Sequence, residues 1–103
     1  MTDSPSISLP RVALVTGAGR RLGRAIALGL AGAGWDIALH YRHSELDAIA
    51  TRDAILALGR RAALLHCDLA DEAAVRQLAG RAAEALGPLS CIVNNASLFE
   101  YDS

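Results

Sequence analysis

Apolar residues along this chain alternate between short dense runs and longer stretches in which they recur every three or four positions. The run "RVALVTG" (11–17) is β-branched with no polar alternation, the pattern of a strand buried on both faces of a parallel sheet. "LGRAIALGLAGA" (22–33) has helical spacing, and Gly34 is placed to stop it. "WDIALHY" (35–41) predicts a second strand. Ser44 followed by Asp47 fits an N-cap, and Leu46, Ile49, Ala50 and Leu56 keep helical spacing up to Gly59. "AALLHC" (62–67) predicts a third strand. From Asp71, the residues Val75, Leu78, Ala79, Ala82 and Leu86 form one apolar helical stripe that ends at "GP". "LSCIVNNA" (89–96) predicts a fourth strand.

The order βαβαβαβ with short loops implies right-handed crossovers and an α/β fold, a doubly wound parallel sheet. No internal repeat or linker interrupts it, and the polar "MTDSPSISLP" (1–10) reads as a flexible arm ahead of one domain, 11–103. With 103 residues, 52% of them hydrophobic, the chain can build a single core but is short for an α/β enzyme. A net charge of −1 argues against a nucleic-acid partner, which favours a basic face. The N-terminus lacks a basic start and an apolar core, and the weakly polar stretch Ala25 to Trp35 is too short to span a bilayer. The expected location is therefore the cytoplasm, with no membrane contact. Cys67 and Cys91 have neither C-x-x-C nor zinc spacing, so both are predicted to be small buried core residues, with no metal.

The chemistry lies in the turn after the first strand, "VTGAGRRLGRA" (15–25), where Gly17, Gly19 and Gly23 are threaded with Arg20, Arg21 and Arg24. In a doubly wound sheet this turn faces a dinucleotide pyrophosphate. Glycine lets the backbone approach, and the helix N-terminus supplies free N–H groups and a positive dipole end. A tight strand-to-helix turn without a ligand is the plainer alternative.

"TGAGRRLG" (16–23) resembles the T-G-x-x-x-G-x-G turn of short-chain dehydrogenases/reductases, with Arg21 where most members have the middle glycine. That departure is similar to the pteridine reductase and dihydromonapterin reductase group. "CDLAD" (67–71) resembles the family's D-[LV] after the third strand, which implies an adenine contact for Asp68; a helix N-cap is the simpler role. "NNAS" (94–97) resembles N-N-A-G, with Ser97 replacing glycine and the aromatic Phe99 two positions on, both as in pteridine reductases. The resemblance covers Arg11 to about Phe99 and implies the N-terminal half of a Rossmann-type fold.

A preference for NAD requires Asp or Glu at the end of the second strand, facing the ribose 2′-OH. Here that place holds "HYRHS" (40–44), and Asp36 sits at the opposite end of the strand. A 2′-phosphate would be attracted by guanidinium, so NADP(H) is the expected cofactor, with Arg20 and Arg42 as its charged partners. The resemblance places His40, His43 and Ser44 around the same phosphate, although His40 and His43 serve equally well as ordinary loop histidines. It implies a cofactor contact set of Gly17, Gly19, Arg20, Arg21, Leu22 and Gly23, then Tyr41 with its neighbours 40–44, then Asp68 and Leu69, then Asn94, Asn95, Ala96 and Ser97. Arg21, Ser97 and Phe99 are the expected substrate contacts, a charged and aromatic edge suited to a planar polar ring. Arg24 reads as a solvated helix residue, Arg60–Arg61 as a solvated turn, His66 as a packed core residue and Trp35 as core or helix cover.

Hydride transfer in the family depends on a Tyr-x-x-x-Lys pair, but all ten basic residues here are arginine, so no catalytic residue is assigned. The expected function is an NADPH-dependent short-chain oxidoreductase that reduces a pterin or similar flat heterocycle. A carbonyl substrate such as a 3-oxoacyl thioester, or a non-catalytic NADP-binding module, is the alternative. The chain reads as the cofactor half of a longer protein, and the resemblance implies a homo-oligomer, dimer or tetramer.

Overall fold

The structure, a computed structural model, describes residues 10–18, 21–68 and 72–95, without the side chains of 72 and 75. Its elements are β1 (Val12–Val15), α1 (Arg21–Gly32), β2 (Asp36–Tyr41), α2 (Glu45–Ala57), β3 (Ala62–His66), α3 (Glu72–Leu86) and β4 (Cys91–Val93). The strands form one parallel sheet in the order β3-β2-β1-β4. The chain therefore steps outward from β1 in one direction through β2 and β3, then returns past it to lay down β4. Reversal of this kind opens a crevice at the carboxyl ends of the strands, beside β1.

Alternation along the strands builds two cores, one on each face. Ala13, Val15, Ile37 and Leu39 pack with Ala27 and Ala31 of α1 and Ile55 of α2. Val12, Leu14 and Ala38 point the other way, onto Leu78, Ala82 and Leu86 of α3. The buried residues of α1 are Gly23, Ala27 and Ala31, four apart, a stripe of small residues that lets the helix lie close to the sheet. β1 is buried throughout, as expected of a central strand.

The charged end of the sheet differs from the expected picture. Arg60 and Arg61 are a clamp, not a solvated turn. Both guanidiniums reach the Asp36 carboxylate, at 3.0 and 3.1 Å, and the Arg61 backbone N–H donates to it at 2.9 Å. Arg61 Nη2 also donates to the Leu86 carbonyl at 2.8 Å, which satisfies the last turn of α3. Burial pushes the Asp36 carboxyl up, but the Arg61 N–H and the two guanidiniums outweigh it and hold it below its ordinary 3.8. Arg24 is exposed, yet it donates to Thr51 Oγ1 at 3.3 Å and ties α1 to α2.

Ser44 occupies the N-cap of α2 without a side-chain cap bond, and Glu45 and Asp47 supply negative charge to that first turn. Cys67 and Cys91 are half-buried free thiols rather than core residues, because Cys91 lies on the edge strand β4 and Cys67 just past β3. β4 is also shorter than the run that predicted it; the bracketing hydrogen bonds run from the Ser90 N–H to the Val12 carbonyl and from the Thr16 N–H to the Val93 carbonyl. No described helix is long and apolar enough to cross a membrane.

Replacing Asp36 by Asn is expected to cost about 1–3 kcal/mol in urea unfolding, because two guanidiniums lose their counter-charge at a buried acceptor. The depressed carboxyl pKa fixes the sign with pH. The difference from the parent is full above about pH 4 and shrinks as pH falls through the folded-state value.

Candidate functional site

Four strand ends converge on the crevice, and the Gly17 turn is held from several of them. Gly17 has φ of 66°, a left-handed conformation that glycine adopts without strain. Its N–H donates to His40 Nδ1 at 3.0 Å, and the next N–H, of Ala18, donates to the His40 carbonyl at 2.9 Å. Asn95 Nδ2 donates to the Gly17 carbonyl at 3.3 Å. Thr16 Oγ1 lies 3.1 Å from Asn94 Oδ1 and 3.3 Å from the Val93 carbonyl, joining the same turn to the end of β4.

Gly23 is required for a different reason. A Cβ there would sit 2.1 Å from the Gly17 carbonyl oxygen and 2.9 Å from Asn95 Nδ2. The first turn of α1 thus rests on the backbone of Gly17, which sets the N-terminal end of the helix beside the crevice. Arg21 and Leu22 at the start of that helix are exposed. Asn95 is fully buried, and its Oδ1 has no hydrogen-bond partner among the described residues, which leaves a buried acceptor next to the turn.

A second cluster lies beyond β2 and β3. Tyr41, Arg42, His43, Glu45 and His66 line a depression of about 430 Å³ at the start of α2. Arg42 and Asp68 are both mostly exposed and approach to 3.4 Å. Tyr41 donates to Glu45 Oε2 at 3.4 Å, and its ring tilts against His66 with centroids 5.3 Å apart. His66 Nε2 donates to the Arg42 carbonyl at 3.0 Å. This residue is exposed rather than packed in the core, because it ends the edge strand β3, directly opposite Tyr41.

His40 is the main correction to the expected site. It is only 2% exposed, and both ring nitrogens are used inside the protein: Nδ1 by Gly17 and Nε2 by the Cys67 carbonyl at 2.7 Å. Neither remains for a phosphate. Burial lowers its pKa, with further lowering from His66 and Arg81, against the Cys67 carbonyl and Asp68, which raise it. The structure thus groups Gly17, Gly23, His40 and Asn95 in one cluster, and Tyr41, Arg42, His43 and Asp68 in another, with Ser44 beside the second at the head of α2. Gly19, Arg20, Leu69, Ala96, Ser97 and Phe99 lie outside the described residues, as does most of the N-terminal arm. Glu45 and His66 were not expected here; His66 comes beside Tyr41 through the pairing of β2 with β3, a register that local sequence spacing does not reveal.

The model of the short chain dehydrogenase family matches residues 11–102. The chain belongs to this family. It is 50% identical over 86 residues to an uncharacterised oxidoreductase of Mycobacterium tuberculosis, covering 82% of this chain and 32% of that protein. Among solved structures it resembles a putative dehydrogenase from Burkholderia cenocepacia with bound NADP (TM-score 0.78, 35% identity, 82% of this chain and 33% of that one). It also resembles the FolM alternative dihydrofolate reductase 1 from Brucella canis complexed with NADP (TM-score 0.76, 39% identity, 85% and 35%). This short-chain dehydrogenase chain spans about a third of the length of the relatives it matches.

Two alanine substitutions separate the glycine of the turn from an ordinary helical one. Gly23→Ala is expected to lower stability by about 1–3 kcal/mol, since the contact is with backbone and cannot relax by a rotamer change. Gly29→Ala, with no described atom within 4 Å of the added carbon, is expected to be neutral or to stabilise by about 0.5–1 kcal/mol. Thermal unfolding of the two variants beside the parent checks both.

Proposed function

We propose that this short-chain dehydrogenase holds NADP(H) and is the cofactor-binding part of an oxidoreductase that reduces a pterin or similar flat heterocycle. The observation that carries the cofactor reading is the cation at the end of β2. Arg42 occupies the place where a preference for NAD calls for a carboxylate, while Asp36, the acidic residue of that strand, is locked at the far end by Arg60 and Arg61. The contact of Arg42 with Asp68 is an exposed ion pair, of a kind worth about 0–1 kcal/mol, and a phosphate dianion can compete for it.

The residues present fit the group. A cradle closed to any Cβ at Gly23, a left-handed Gly17 and the start of α1 suit a pyrophosphate. Arg42, with His43 and Ser44, would take the 2′-phosphate, and Asp68 the adenine edge. By the family resemblance Gly19, Arg20, Leu22, Tyr41, Leu69, Asn94, Ala96 and Ser97 complete the contacts. When bound, NADP(H) supplies or accepts the hydride. No residue among these 103 is given a catalytic role, since the Tyr-x-x-x-Lys pair is absent from them.

The substrate reading is supported by the likeness to an alternative dihydrofolate reductase and by Arg21 in place of the turn's middle glycine, with Ser97 and Phe99 as its expected companions. In the full-length protein, turnover of biopterin, dihydrofolate or dihydromonapterin with NADPH is the expected result, and turnover confined to 3-oxoacyl thioesters would overturn it. For the cofactor, Arg42→Ala is expected to reduce the preference for NADP(H) over NAD(H) about tenfold to a hundredfold, the loss of one charge-assisted contact of roughly 1.5–3 kcal/mol. An unchanged ratio of the two dissociation constants would remove Arg42 from the site.

A further inference from the structure

We propose that His40 is the positioning residue of this nucleotide site, holding the Gly17 turn and the segment after β3 in one fixed relation that lasts only while its Nδ1 carries no proton. The inference rests on the NADP(H) reading and goes beyond it by naming a residue that acts through the turn without touching the ligand.

The geometry fixes the state of the ring. The Gly17 N–H is a donor, so Nδ1 must accept; the Cys67 carbonyl can only accept, so Nε2 must carry the hydrogen. The backbone carbonyl of His40 takes the following N–H, of Ala18. A single residue of β2 thus satisfies two successive N–H groups of the turn and, from the far side of its ring, the first residue after β3. Cys67 is in turn held by its own N–H, which donates to the Tyr41 carbonyl at 3.2 Å. The ring has no slack for another partner.

Protonation of Nδ1 would set two donors against each other at 3.0 Å and release Gly17. The charged and titratable groups that face the ring are His66 on β3, Arg81 on α3 and Asp68 in the loop after β3. His66 and Arg81 oppose the cation and Asp68 favours it, while burial opposes it most. The neutral ring is therefore kept to below its ordinary value of 6.5, and the brace is lost only as pH falls through that lowered point. His66 makes a useful contrast. It donates to the Arg42 carbonyl, a bond that does not require a bare ring nitrogen, whereas the bond from Gly17 to His40 does.

Two substitutions divide the ring's bonds. His40→Asn places an amide oxygen near the position of Nδ1, able to accept from Gly17 but not to titrate. His40→Gln reaches toward Nε2 and can donate to the Cys67 carbonyl while offering Gly17 nothing. Binding of NADP⁺ to the full-length protein is measured by calorimetry from about pH 8 to about pH 5, with a melting curve for each variant. The ligand's own 2′-phosphate titrates near about 6, so the signal is the difference between proteins at each pH.

At neutral pH, His40→Gln is expected to bind at least about tenfold more weakly than the parent, and His40→Asn within about threefold of it. On acidification the parent is expected to lose at least about tenfold more affinity than His40→Asn. Parallel pH profiles for the parent and His40→Asn, or undiminished binding by His40→Gln, would overturn the assignment. ¹⁵N spectra of the parent's imidazoles need no substitution: an Nε2–H ring at neutral pH, whose double protonation tracks the loss of NADP⁺, supports it, and an Nδ1–H ring refutes it. Failure of the parent to bind NADP⁺ at any pH would remove the cofactor reading itself, a result distinct from tight binding that is indifferent to His40.

Discussion

Between Gly23 and the carbonyl of Gly17 there is no room for a carbon atom. That spacing sets the height of α1 above the end of β1, and the stripe Gly23, Ala27 and Ala31 carries the close approach down the length of the helix. Asn95, arriving from β4, donates to the same carbonyl. A strand end, a helix start and the neighbouring strand β4 therefore meet around one backbone oxygen, and the crevice at the carboxyl ends takes its shape from that meeting. A side chain at position 23 would push α1 away from the turn and separate the helix N-terminus from the place where it can act on an anion.

Charge is sorted along the sheet. At the amino end Asp36 is neutralised by two guanidiniums and buried. At the carboxyl end Arg21 and Arg42 stay exposed, one at the start of α1 and the other just past β2. The chain as a whole carries only −1, so any attraction of the crevice for a polyanion is local and comes from where the arginines stand. The exposed pairing of Arg42 with Asp68 gives that cation a resting position without committing it.

Element order was legible because it depends on local periodicity: unbroken β-branched runs for the inner strands, spacing of three to four for the helices, glycine at the helix ends. The turn glycines were legible as a motif, although the two described ones serve different ends, a backbone conformation at Gly17 and a packing distance at Gly23. Arg60 and Arg61 were misread because their partner is 24 and 25 residues away and becomes a neighbour only through the pairing of β2 with β3. His40 was misread for the same kind of reason. Its place at the end of a strand suggested a ligand contact, but alternation turns its ring inward, where only the folded chain reveals that both nitrogens are already in use.

The clamp at the amino end has a consequence for how the molecule opens. Through Arg61, Asp36 joins the start of β2, the turn before β3 and the last carbonyl of α3. Fraying of α3 from its C-terminus must break a bond to the same side chain that grips Asp36, so the end of the helix and the amino end of the sheet share one anchor. The carboxyl ends are tied to one another by His40, Thr16 and Asn95, none of which touches that clamp. The two ends of a single sheet can thus breathe on separate clocks, one kept by an ion cluster and the other by a neutral ring.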